Sequence, residues 1–194
     1  MRIKVKILLA IVLSFRYIPH ILSYYLNKNI REDVRFWSKC YSVGYSGLVG
    51  MMYFLTYYKE FRNVMYKRLR VSLLHKILLP PLSSLYITTS RDKIGKALFI
   101  QHGFATIISA ESIGEYCWIN QQVTIGYTKK SVSPMIGNNV RIHAGALVLG
   151  QIRIGDNSVI AAGATVVDDV PPNSLVCSPK AKVVKVNDPH NTFS

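Results

Sequence analysis

Five histidines are spread along the chain, and two of them, His102 and His143, fall inside a regular sequence pattern. An imidazole titrates near neutral pH, so it suits the removal of a proton from a reacting hydroxyl. His102 is followed by Gly103 and stands where the pattern slips by a residue. Amide side chains cluster near it in the pattern, at Gln101, Asn120, Gln121 and Gln122, and amides suit hydrogen bonding to hydroxyl groups. Hydrolysis at zinc would need three converging histidines; with two in the pattern, no metal is expected. Cys40, Cys117 and Cys177 are odd in number and lack metal-ligand spacing, which reads as a reduced, cytoplasmic protein. Cys117 falls on an inward beat and is expected to be a buried thiol.

The pattern that must position these groups is clearest over residues 136–170. In sixes it reads IGNNVR, IHAGAL, VLGQIR, IGDNSV, IAAGAT, VVDDV. An aliphatic returns at Ile136, Ile142, Val148, Ile154, Ile160 and Val166, usually followed by a small residue. Four residues after each comes a second small or branched one: Val140, Ala146, Ile152, Ser158, Ala164, Val170. Six is neither the 3.6 of a helix nor the 2 of a free strand. It predicts a coil of short parallel strands with tight corners, its aliphatics stacked inward. Upstream the beat continues at Ile94 and Ile100, then at Ile107, Ile113, Ile119 and Ile125. One extra residue falls between Ile100 and Ile107, and residues 127–135 bulge as a loop. Pro171 and Pro172 are expected to end the repeats.

The amino-terminal part differs in character. Residues 1–79 hold fourteen Lys and Arg against three Asp and Glu, most of the net +14 of the chain. The spacing predicts helices: an amphipathic one broken near Pro19, an uncharged one over residues 42–58, and a basic one over 57–70 with Phe61, Val64 and Met65 on one side. The opening apolar run is too short to span a bilayer. The basic helix is expected to lie on anionic lipid. No nucleic-acid-binding motif occurs, so no nucleic-acid partner is expected. Pro80 and Pro81 close the last helix. The organisation is thus a helical domain over 1–81, a coil domain over 82–185 and a tail over 186–194.

The [LIV]-G-x4 repeat resembles the hexapeptide repeat of the left-handed β-helix acyltransferases. QHGFATIISAESIGEYCWINQQVTIG resembles the histidine-bearing coil of their serine O-acetyltransferase branch, which includes capsule and exopolysaccharide O-acetyltransferases. VVDDVPPNSLVCSPKAKVVK looks like the end of the same coil. The resemblance covers about residues 83–185. It implies a mainly β fold, a left-handed parallel β-helix behind an α-helical domain. It also implies an acetyl-CoA-dependent O-acetyltransferase, a homotrimer with the acyl site between neighbours, and His102 as general base. Ala144, Gly145 and Ala162 would provide a small-residue shelf for the pantetheine arm. Lys180 and Lys182 would meet the nucleotide phosphates.

For the acceptor, Gln101, Asn120, Gln122 and Tyr127 are the candidates. Serine acetyltransferases carry Asp-His where this chain has Gln101 and His102, an aspartate near Ile87, and a second histidine near Ser133. Those departures remove charge suited to an amino acid. The expectation is therefore a saccharide acceptor, a capsule, exopolysaccharide or glycan precursor, modified at the inner membrane face. The alternatives are a serine O-acetyltransferase and a non-catalytic β-helix that binds membrane or a partner.

Overall fold

The computed structural model describes residues 15–70, 72–128 and 132–179. The opening apolar run and both Lys180 and Lys182 lie outside the described residues.

Among the described residues, five α-helices precede the coil: α1 (Ile18–Leu26), α2 (Lys28–Cys40), α3 (Gly47–Tyr57), α4 (Lys59–Arg68) and α5 (Leu73–Leu78). Pro19 lies in the first turn of α1 and so begins a helix rather than breaking one. A missing N–H costs nothing there, because the first amides of a helix have no partner. Asn27 caps α2, its side-chain oxygen accepting from the N–H groups of Asn29 and Ile30 at 3.0 and 3.3 Å. Ile30, Val34 and Trp37 form the buried stripe of α2.

The coil makes about five turns with three faces, all parallel. The first face stacks Leu85–Ile87, Thr106–Ile108, Thr124–Gly126, Leu147–Leu149 and Thr165–Val166. The second stacks Ser112–Ile113, Met135–Ile136 and Arg153–Ile154, with Ile94 and Val170 bridging at its two ends. The third stacks Phe99–Ile100, Trp118–Ile119, Arg141–Ile142, Val159–Ile160 and Leu175–Val176. The inward aliphatics from Ile136 to Val166 and the second set from Val140 to Val170 are all buried, as their spacing predicts. Cys117 is buried too, which pushes its thiol up to about 11.

Two register readings need correction. Ile107 is 44 % exposed, and Ile108 points inward, paired with Ile125. The step from Ile100 to Ile108 is thus eight residues where the stacked steps are six, so two residues are inserted beside His102. Short runs of aliphatics (Ile107 and Ile108 together) hide this, since either can take the beat. The prolines also do not end the coil: Leu175–Val176 continues the third face against Val159–Ile160. Proline lacks one donor, which a corner can spare.

Two ladders explain the corner residues. A Cβ on Gly95 or Gly114 would stand 2.5 Å from the backbone of Gly114 or Gly137 in the next turn. Ala97, Tyr116, Asn139, Asn157 and Asn173 stack with positive φ, and the three asparagines bond in series at 2.9 and 3.0 Å. Asparagine is among the few residues that adopt this conformation at low cost.

Helices and coil share one apolar core. Trp37 lies 4.9 Å from the Phe99 ring, which lies 4.8 Å from Trp118, and the Trp37 indole donates to the Leu98 carbonyl at 2.8 Å. The expectation for residues 57–70 is corrected here at two of its basic residues. Arg62 and Arg68 of α4 are buried, Arg62 donating to the carbonyls of Leu55, Thr56 and Pro80. These two arginines tie the helix into the protein and do not face lipid, while Lys59 and Arg70 stay exposed. Among the described residues, no helix is long and apolar enough to cross a membrane.

A buried polar cluster joins α1, α4 and α5. His20 donates from Nδ1 to the Arg16 carbonyl at 2.8 Å, and its Nε2 lies 3.0 Å from the Tyr66 hydroxyl, which donates to the Leu79 carbonyl at 2.7 Å. The His75 ring stands 4.8 Å away edge-on, its Nε2 2.9 Å from the Ser23 hydroxyl. Burial, with His75 and Arg62 nearby, lowers the His20 pKa to about 4. Its ordinary value of about 6.5 returns on unfolding. The unfolded chain therefore binds more protons between these values, and stability falls as pH drops through that window. Unfolding midpoints should be flat above about pH 7 and fall steadily toward pH 4, and His20→Gln should flatten that slope. A slope unchanged by the substitution would remove His20 from the account.

Candidate active site

The edge where the third face turns into the first carries most of the residues that the sequence singles out. Successive turns place there residues 101–105, 120–123, 143–146 and 161–164. The backbone pairs across rungs, Gln122 N–H to the Phe104 carbonyl at 3.1 Å, Gly145 to Gln121 at 3.1 Å and Gly163 to Ala144 at 2.9 Å. Ala105, Gln122, Gly145 and Gly163 all have positive φ, between 50 and 71°. The corner is thus a stack of left-handed residues, and the glycines and alanines above the histidine follow from that geometry.

His102 stands out from this stack. It has φ 60° in the two-residue insertion, its ring exposed. Its carbonyl accepts from the Phe104 N–H, closing a tight turn. Gly103 behind it is buried: a Cβ there would meet Ile100 and Leu85 at 3.1 Å and Glu60 of α4 at 3.2 Å. The helical layer therefore backs the loop that offers the imidazole. A non-glycine residue at positive φ is held only where its surroundings impose it, and such positions cluster at functional sites.

Gln101, Asn120 and His143 occupy one column beside the loop. Asn120 donates to the Gln101 side-chain oxygen at 3.0 Å. The side-chain oxygens of Asn120 and Gln121 are buried without a hydrogen-bond partner among the described residues. Two buried acceptors without donors are costly, and a ligand bearing hydroxyl or N–H groups would satisfy them. Ala144 and Gly145 are half-buried and Ala162 exposed, one rung above another. A Cβ built on Gly163 would meet nothing within 4 Å. The space over this shelf is open, which fits an extended, amide-rich arm lying along the corner.

Tyr127 is not brought to this edge. It follows Thr124–Gly126 and lies, exposed, where the first face turns into the second. That edge varies in length from turn to turn and holds a separate cleft of about 410 Å³ lined by Glu111, Ser133, Arg153 and Asp169. Sequence reasoning passed over this cleft. It did find the irregularity at His102, but counted one inserted residue where the structure has two.

The comparisons agree with this architecture. Residues 133–168 match the family model described as bacterial transferase hexapeptide (six repeats). A serine acetyltransferase of Synechococcus elongatus is 42 % identical over 96 residues, 47 % of this chain and 39 % of that protein. One from Staphylococcus aureus is 44 % identical over 97 residues, 48 % of this chain and 46 % of that protein. The chain thus spans about half or less of these relatives' length. Among solved structures, Neisseria gonorrhoeae serine acetyltransferase superposes with a TM-score of 0.60 at 28 % identity, covering 84 % of this chain and 68 % of that one. An Entamoeba histolytica serine acetyltransferase, at 24 % identity and a TM-score of 0.62, shows the same fold. The resemblance to the hexapeptide-repeat, left-handed β-helix acyltransferases is borne out.

The saccharide acceptor is not. These relatives and structures carry the name serine acetyltransferase, and the reading of polysaccharide biosynthesis falls with that finding. Within one chain the three positions of lost charge lie apart. Gln101 is engaged by Asn120. Ile87 belongs to the first turn of the first face. Ser133 lines the other edge, where Glu111 and Asp169 already supply carboxylates.

Proposed function

We propose that this chain, built on the hexapeptide-repeat transferase fold, is an acetyl-CoA-dependent serine O-acetyltransferase. What carries the reading is His102, held at positive φ on a two-residue insertion beside an open small-residue shelf. His102 acts as general base on the serine hydroxyl, and the acyl donor supplies an activated thioester carbonyl for that oxygen. The protonated imidazole then returns its proton to the departing sulfur. Gln101, Asn120 and Gln122 hold the acceptor by hydrogen bonds, with the buried oxygens of Asn120 and Gln121 accepting its N–H groups. Ala144, Gly145 and Ala162 take the pantetheine arm, and Lys180 and Lys182 its phosphates.

The working form is a homotrimer in the cytoplasm. Tyr86 and Ile107, paired on adjacent turns of the first face, are both exposed and offer apolar surface to a neighbouring copy. Tyr127, on another edge, joins the site only if a neighbouring copy supplies it. Thiol release from acetyl-CoA, followed with a thiol reagent, tests the reading. It should require L-serine and saturate with it. Release that is indifferent to serine would reject serine as the acceptor.

A further inference from the structure

Among the described residues, the helical layer leaves an apolar face uncovered. Phe15, Ile18, Leu22, Tyr25 and Leu26 fall on one side of α1 and its leading turn, and all are more than half exposed. Their spacing of three and four marks a single stripe, opposite the buried His20. Beside α1, α5 turns Leu73, Leu74 and Ile77 outward. The two helices are joined through Ser23 and His75, so the two stripes flank one another. A soluble protein seldom leaves this many large apolar side chains together without a partner.

Charge decides what that partner is. Lys28 follows the α1 stripe, Arg70 precedes α5, and Lys76 sits beside Ile77, all exposed. The acids of this region offer little to offset them: Asp33 is buried against Arg68, Glu32 pairs with Arg35, Glu60 lies half-buried at the His102 loop, and Asp92, in the cleft with Leu26 and Arg70, is matched there by Arg91. A second copy of this face would bring like charges together. An anionic bilayer complements both features, since its headgroups take lysine and arginine while leucines and aromatics settle at the acyl boundary. Tyrosine suits that boundary as well, and Tyr57 and Tyr45 on the neighbouring α3 side are exposed.

We propose that the α1–α5 face is a docking surface for an anionic lipid membrane. The chain lies on the bilayer with Leu22, Leu26, Leu74 and Ile77 as anchors, the coil standing away from it. This does not depend on the acceptor or on the acetyl transfer.

The test is co-sedimentation of the full chain with vesicles of phosphatidylcholine alone and with 30 mol % phosphatidylglycerol added, the latter composition chosen as about that of an anionic surface. Binding should appear on the anionic vesicles, and salt raised to about 0.5 M should weaken it, as screening demands. The double variant Leu22→Glu with Ile77→Glu should weaken it by about tenfold or more, with unchanged circular dichroism. Charge reversal at Lys28 and Lys76 to glutamate should weaken it as well, and leaves the packing alone. Equal binding by the variants, or none to anionic vesicles by the native chain, would overturn the proposal. So would light scattering in which Leu22→Glu/Ile77→Glu splits an assembly that the native chain forms, since the face would then be covered by another copy.

Discussion

Replacing His102 by asparagine should lower kcat for acetyl transfer by about 10²–10⁴-fold, the usual contribution of a positioned base. His102→Ala should do the same. The pair of variants separates two roles. His102 has φ 60°, and asparagine tolerates that conformation better than most residues. His102→Asn therefore keeps the turn and removes only the imidazole. The ring is exposed and forms no core contact, so the unfolding midpoint should hardly move. The KM for acetyl-CoA should also stay near the native value, because the shelf at Ala144, Gly145 and Ala162 lies on later turns of the coil. An asparagine variant that keeps full activity would show that the corner's shape, and not the base, matters.

The second large effect is on stability. Arg68→Met should destabilise the fold by about 3–5 kcal/mol in urea or thermal unfolding, the cost of leaving one buried charge unpaired. Arg68 binds Asp33 through two nitrogens, each at 2.9 Å, and donates to the carbonyls of Ile94 and Gly95 at 2.8 and 2.7 Å. Asp33 accepts in turn from the Leu98 N–H at 3.1 Å. Burial raises the Asp33 pKa, while the guanidinium and the backbone donor pull it down. Removing the arginine leaves that carboxyl among apolar groups and frees two coil carbonyls. The double change Asp33→Leu with Arg68→Met should cost clearly less than the two single changes added together, because neither charge then stands alone. A loss below about 1 kcal/mol for Arg68→Met would mean that water reaches the pair.

This latch also shows why the helical part was harder to read than the coil. Its residues have the expected helical spacing, yet the sequence of α4 looks like a basic surface helix. Arg62 and Arg68 become interior only because α2, α3 and the first turn of the coil close around them. Local periodicity tells which residues share a face and not what that face meets. The same limit appears in α1 and α5, whose outward faces are apolar although a neighbour-free helix would be expected to turn them in.

The acceptor reading failed for a related reason. Three positions differing from a family pattern were read together as lost charge, whereas one chain places them on separate faces and edges. Single substitutions along a coil have meaning only when the turn and edge that carry them are known.

By itself the sequence determined the coil. A six-residue beat fixes which side chains point inward, and stacked rungs then follow because each turn can pair only with the turns above and below it. It also singled out His102 as the histidine beside an irregularity. Tertiary structure alone decided the rest: that the inserted pair puts His102 at positive φ against α4, that Tyr127 lies on another edge, and that two arginines are interior. Those outcomes depend on contacts between residues far apart in the chain, and no short-range pattern records them.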